Sequence, residues 1–140
     1  MKTFVIDASV AIKWVIEEPG TKEALGLRRH RLLAPDLLIP ECANILWKKV
    51  RRKELSGDEA EFAARLLARA DIDLEPMRTL LEPAIRIALA LDHPAYDCTY
   101  LALADARGCD FVTADETLSR KALAAGVGSR ILALRAVGPL

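Results

Sequence analysis

The chain has 140 residues, twenty basic and twenty acidic side chains, zero formal net charge and 52% apolar residues. That length suits a single domain, residues 1–140, whose core removes roughly two-thirds of the unfolded chain's surface from water. The apolar content excludes a disordered chain, and the charge balance means that any nucleic-acid role must rest on local patches.

The chain carries Cys42, Cys98 and Cys109. Without C-x-x-C spacing they read as small core thiols of a reducing cytosol, not as a disulfide framework or zinc site. Met1-Lys2-Thr3 and the short apolar run after it lack the pattern of a signal peptide. The alanine-rich run from Ala84 to Leu91 is too short and too charged to cross a bilayer. A cytoplasmic protein with no membrane partner is expected.

Thr3 to Asp7 is β-branched and aromatic, then polar, and predicts a buried first strand. Ala8 to Glu17 is apolar nearly all round and predicts a buried helix, ended by Pro19-Gly20. Thr21 is the expected cap of a second helix reaching Arg31. Leu32-Leu33-Ala34 predicts a short strand. Pro40 suits the first turn of a helix from Glu41 to Lys53, and Ser56 with Glu59 has capping-box spacing for the next helix, to Ala70. Asp71 to Leu74 is a candidate edge strand, and Met77 to Leu91 a helix that His93-Pro94 interrupts. Asp97 to Arg107 predicts a helix capped by Gly108. Phe111 to Thr113 predicts a strand, Glu116 to Ala125 a helix, and Ile131 to Leu134 the last strand. The tail from Gly138 to Leu140 is expected to fray. Strands alternating with helices favour a parallel sheet with helices on both faces.

Asp7, Glu41, Asp97 and Asp115 each fall where a strand or loop hands over to a helix. Taken singly, such a residue is as well explained by N-capping. Ligands of open α/β sheets bind outside the carboxyl ends of the strands, and acidic residues gathered there form a pocket for a hard cation. Within about 4 Å, each like-charge pair repels by a few kcal/mol at an effective dielectric near 20, which a divalent cation relieves. Carboxylate oxygens and water suit Mg²⁺ or Mn²⁺. Asn44 shares a helix face with Glu41 and can orient it, touch substrate or form a plain buried hydrogen bond. Ser9 and Thr113, two residues from Asp7 and Asp115, can support ligands or merely end their elements. Lys48, Lys49, Arg51, Arg52 and Lys53 form a basic helix end. It can meet nucleic-acid phosphates or simply complement the helix dipole. Tyr96 can pack beside Asp97 or line a groove. His93 reads first as a loop residue beside Pro94 and second as a group that touches substrate, and Trp14 and Trp47 as core or interface aromatics rather than base-stacking platforms.

Val5-Ile6-Asp7-Ala8-Ser9, Pro40-Glu41 with Asn44, Tyr96-Asp97 with Tyr100-Leu101-Ala102-Leu103-Ala104, and Val112-Thr113-Ala114-Asp115 with Leu118 occur in order along nearly the whole chain. Together they resemble the successive motifs of PIN-domain ribonucleases, above all the VapC toxins of toxin–antitoxin pairs. The resemblance implies a three-layer α/β/α PIN-like fold around a five-stranded parallel sheet. It implies a Mg²⁺- or Mn²⁺-dependent endoribonuclease, usually a homodimer, blocked by a cognate antitoxin that often inserts a basic side chain. It further implies that Asp7, Glu41, Asp97 and Asp115 are the catalytic, metal-binding residues, with Ser9 and Thr113 as supporting polar positions. Glu116, next to Asp115, is a candidate extra carboxylate.

The expected chemistry is metal-assisted hydrolysis of an RNA phosphodiester. A PIN nuclease of RNA processing without an antitoxin, or an inactive metal- or RNA-binding module, is the alternative. A response-regulator receiver would ordinarily need an acidic pair after the first strand, where this chain has Ile6-Asp7. A haloacid-dehalogenase-like phosphatase would want a second Asp where this chain has Ser9.

Overall fold

A computed structural model of the protein describes residues 1–126 and 130–138. Five strands, β1 (Thr3–Ile6), β2 (Arg31–Pro35), β3 (Asp73–Glu75), β4 (Asp110–Thr113) and β5 (Ile131–Ala133), form one parallel sheet. Their order is β3-β2-β1-β4-β5, with Val5 opposite both Leu33 and Phe111. The central strand is buried on both faces, as its unbroken Phe4-Val5-Ile6 run requires. The chain lays β2 and β3 on one side of β1, then returns to lay β4 and β5 on the other. Strand order therefore reverses between β1 and β4, and their carboxyl ends border the crevice in which open α/β sheets bind ligands.

The described residues form seven α-helices: α1 (Ala8–Ala11), α2 (Thr21–Gly26), α3 (Leu38–Arg51), α4 (Gly57–Ala68), α5 (Leu81–Leu91), α6 (Ala95–Arg107) and α7 (Glu116–Ala124). α6 packs across β1, β2 and β4 with α5 against it, while α1 packs on α3 and α3 on α4. Continuous burial of Tyr100 to Ala104 makes α6 the inner helix. Tyr100 stacks on Phe111 of β4 with ring centroids 5.6 Å apart. Because α6 runs down into β4, its first turn lies at the carboxyl edge of the sheet. α3 follows β2 and begins at that same edge. The expected α/β fold with a five-stranded parallel sheet is the observed one.

Local departures have identifiable causes. The first helix is shorter than expected. It tightens into a 3₁₀ turn over Ile12–Trp14, and the β-branched Val15 and Ile16 are poor helix formers. Thr21 does not cap α2. Gly20 does, at a φ of 94° that favours glycine. The Thr21 hydroxyl is turned back into the preceding loop, accepting from Glu18 N at 3.0 Å and donating to Ile16 O. α2 ends at Gly26, ahead of a 3₁₀ turn over Leu27–Arg29, and β2 starts at Arg31. α3 starts at Leu38, two residues before Pro40. The proline still lies in the first turn, where its missing N–H costs nothing. α5 is likewise preceded by a 3₁₀ turn, Arg78–Leu80, and α6 starts at Ala95. The Ser56–Glu59 capping box forms as expected. The tail residues Pro139 and Leu140 lie outside the described residues.

All three cysteines are free. Burial pushes the Cys42 thiol up to about 12 and the Cys98 thiol up to about 11, which makes them unreactive packing groups.

Candidate active site

β1 ends at Ile6, and the next residue both starts a helix and meets the crevice. Asp7 caps α1, its Oδ1 accepting from Val10 N at 3.3 Å. Asp115 caps α7 in the same manner, its Oδ1 accepting from Leu118 N at 3.2 Å. For these two residues the capping role and the cleft role are therefore held together. Glu41 and Asp97 lie in the first turns of α3 and α6, where the positive end of the helix dipole favours a carboxylate. All four line one cleft of about 430 Å³, together with Ser9, Asn44, Lys48 and Tyr96.

Short polar contacts join the ends of β1 and β4. Ser9 Oγ donates to Asp7 Oδ1 at 2.5 Å, and Thr113 Oγ1 donates to Asp7 Oδ2 at 2.6 Å. Ser9 Oγ in turn accepts from Ala114 N, and Thr113 Oγ1 from Asp115 N, both at 3.0 Å. Each hydroxyl therefore links the Asp7 carboxylate to the backbone that carries Asp115. Such a lattice fixes both oxygens of Asp7 while leaving its negative charge uncompensated by any cationic side chain named in those bonds.

The electrostatics carry the mark of that arrangement. Asp7 is 6% exposed. Burial, helped by the nearby Asp97 charge, pushes its carboxyl up from 3.8 to about 6 despite the hydrogen bonds from Ser9, Thr113 and Val10 N. Glu41 is also raised, by burial first and by Asp97 second, against the lowering effect of the Tyr100 hydroxyl. Tyr100 OH donates to Glu41 Oε1 at 2.5 Å, and burial with that bond holds the phenol well above its ordinary value. Asp97 thus acts on carboxylates from two different elements.

Glu116 is not brought to this group. It is one residue past Asp115, but successive helix positions point about 100° apart, and it pairs with Arg135 beside a different cleft. Among the described hydrogen bonds none joins Asn44 to Glu41; Tyr100 takes that place. Lys48 reaches the main cleft. Lys49 and Arg52 line an adjoining cleft of about 420 Å³ that shares Ser9, Lys48 and Asp115 with it. Lys49 is committed to Glu18 at 3.1 Å and Glu54 at 3.7 Å. Arg51 stands elsewhere, its guanidinium 5.0 Å over the exposed Trp47 ring. Tyr96 is 69% exposed on the rim.

Two residues of this neighbourhood were not singled out as site groups by the sequence. Tyr100 reaches Glu41 across 59 positions, a contact no local spacing announces. His93 Nε2 lies 2.6 Å from Asp97 Oδ2. The four-residue interval between them is the signal that could have found it, had the proline between them not read as a break.

Four carboxylates lining one cleft without a thiol suit a hard divalent cation such as Mg²⁺ or Mn²⁺; of these, Asp97 and Asp115 bring one oxygen each within 4.8 Å of one another and of a His93 ring nitrogen. Burial is the main cause of the raised Asp7 and Glu41, and the Asp97 charge adds to both, a repulsion that a cation would offset.

The PIN domain family model matches residues 4–123. The ribonuclease VapC3 of Pyrobaculum aerophilum is 33% identical over 121 residues, which cover 84% of this chain and 92% of that one. Among solved structures, PAE2754 of Pyrobaculum aerophilum superimposes with a TM-score of 0.73 at 21% identity, covering 96% of this chain and 90% of that one. VapBC2 of Rickettsia felis, solved with a DNA fragment from its promoter, gives 0.64 at 8% identity, covering 94% and 98%. At those identities the two structures speak for the fold alone. Family match, relative and fold agree with one another, and the chain belongs to the PIN-domain family alongside the VapC ribonucleases.

Proposed function

We propose that the protein, acting as a single domain, is a divalent-metal-dependent endoribonuclease and the toxin of a VapBC-like toxin–antitoxin pair. The observation that carries this reading is the convergence of Asp7, Glu41, Asp97 and Asp115, from four separate elements, on one cleft. These residues would hold Mg²⁺ or Mn²⁺. When bound, the cation supplies an acidified water and offsets charge on the phosphoryl oxygens. Ser9 and Thr113 keep both Asp7 oxygens in place, and Tyr100 does the same for Glu41. Lys48 meets substrate phosphate at the cleft wall, and the exposed Tyr96 ring offers a face on which a base can stack.

The acidic cleft is complementary to a basic side chain, which is the chemistry expected of an antitoxin that blocks it. Leu81, Ile85 and Leu89 form an exposed apolar stripe along α5, and this is the face on which a homodimer would pair. No described helix is long and apolar enough to cross a membrane.

Purified protein is expected to cleave RNA in Mn²⁺ or Mg²⁺, to stop in excess chelator and to resume when Mn²⁺ is restored. Intact RNA under all metal conditions, or undiminished cleavage in chelator, would overturn the reading.

The basic residues divide by position, which gives a second test. RNA binding by a cleavage-dead Asp7→Asn protein should weaken with salt. Lys48→Ala and Arg52→Ala should each lower the slope of log affinity against log salt by about 0.7, the single-strand value per phosphate contact. Arg51→Ala, over Trp47 and outside both clefts, should leave the slope unchanged. An equal effect at all three positions would mean that the charges act as a general field.

A further inference from the structure

His93 takes no step in the activity proposed above, yet it is in short contact with one of the four carboxylates. Its side chain is 8% exposed. One ring nitrogen contacts Asp97 Oδ2 at 2.6 Å, and the other, Nδ1, lies 3.3 Å from Lys121 Nζ. A lysine ammonium donates and cannot accept. Nδ1 must therefore accept, and the ring proton sits on Nε2 and donates to Asp97. Lys121 Nζ also donates to the Asp92 carbonyl at 3.2 Å. Asp92 closes α5 at a φ of 51°, so one ammonium clamps the α5–α6 corner and sets the tautomer of the ring beside it. The helix that supplies Lys121 is the one Asp115 caps. A ring nitrogen of His93 and one oxygen each of Asp97 and Asp115 lie within 4.8 Å of one another.

Asp97 needs such a partner. Its side chain is 30% exposed, and the charges of Asp7 and Glu41 bear on it from the cleft. Left alone, it gains by rotating outward into water. His93 does not itself suit the role of a ligand, because the lone pair of one ring nitrogen faces Lys121 and the other nitrogen carries the proton given to Asp97.

We propose that His93 is a positioning residue for the cation site. Its Nε2–H holds one oxygen of Asp97 so that the carboxylate stays turned to the cleft, and Lys121 locks the ring in the donating tautomer. The inference rests on the metal-dependent reading of the cleft and adds His93 and Lys121 to it.

The test is Mn²⁺ binding by the full chain without RNA, with free ion read by electron paramagnetic resonance and folding checked by melting. His93→Leu should weaken Mn²⁺ binding by about 10–100-fold, the range for loss of a group that orients a ligand. His93→Gln places an amide N–H near the former Nε2 and should stay within about threefold of wild type. Lys121→Met, at an exposed residue, keeps the test open if His93→Leu does not fold, and should weaken binding by about threefold or more. Wild-type affinity in His93→Leu, or in Lys121→Met when His93→Leu is unfolded, overturns the proposal. So does a Gln variant as weak as the Leu variant, since the ring and not its N–H would then matter. If the wild-type protein shows no saturable Mn²⁺ binding, the metal reading of the cleft fails first and this inference falls with it.

Discussion

Asp7→Asn is expected to abolish RNA cleavage and, in metal-free buffer above pH 6, to raise the melting temperature. The two effects have one cause. Asp7 is buried at the centre of the site, where its carboxyl is raised from 3.8 to about 6. A folded value above the unfolded one means that the folded protein binds the proton more tightly. The stabilisation from protonated Asp7 is present in full below about pH 4 and is lost as pH rises through about 6. Above that, holding the bare carboxylate costs about 3 kcal/mol. Asparagine removes the charge but puts an N–H where the carboxylate accepted a hydroxyl, so part of the gain is lost. A net gain of about 1–2 kcal/mol, or roughly 5 °C, is expected at pH 8. It should vanish near pH 4, where wild-type Asp7 is itself neutral. Cleavage should fall by at least about 100-fold, since about 3 kcal/mol of charge stabilisation at the transition state goes with the ligand. Near-wild-type cleavage by Asp7→Asn would remove Asp7 from the active centre. A lower melting temperature at pH 8 would show that its hydrogen bonds outweigh its buried charge.

What could be read from the chain follows from how locally each feature is determined. Asp7 and Asp115 were legible because a strand's apolar run ends just before each, and a parallel sheet sends all such ends to one edge. Glu41 and Asp97 were legible as first-turn helix residues, with α3 and α6 both starting at that edge. Features that depend on rotation about a helix or on distant partners were not. Glu116 follows Asp115 in sequence, yet helical rotation sends it to Arg135. Arg51 and Lys48 belong to one basic run, but only Lys48 faces the cleft. Thr21 has the chemistry of a cap, and loop closure with Ile16 and Glu18 took its hydroxyl instead. His93 looked like loop because Pro94 follows it. In fact Pro94 sits at the N-cap of α6 with an extended ψ of 137°, and that geometry folds His93 back over Asp97.

Mn²⁺ should stabilise the wild-type protein strongly at pH 7.5 and weakly at pH 4.5. Cation and proton compete for the same oxygens. Asp7 and Glu41 both titrate above their ordinary values, so the folded site holds the Asp7 proton in acid and gives it up as pH rises through about 6. Without metal this release costs stability, and with metal the freed carboxylates gain a partner. At a free Mn²⁺ concentration 100 times the dissociation constant, binding adds about 2.7 kcal/mol, or roughly 10 °C for a chain of this size. Asp7→Asn removes one ligand and the most strongly raised carboxyl together. It should therefore shrink both the Mn²⁺ shift and its dependence on pH, while raising the metal-free baseline. Differential scanning calorimetry of the two proteins at the two pH values, with Mn²⁺ or chelator, separates these effects. A Mn²⁺ shift of equal size at both pH values would place the cation on surface groups outside the cleft. A shift that survives unchanged in Asp7→Asn would require the remaining carboxylates to hold the ion without the side chain whose burial costs the metal-free site most.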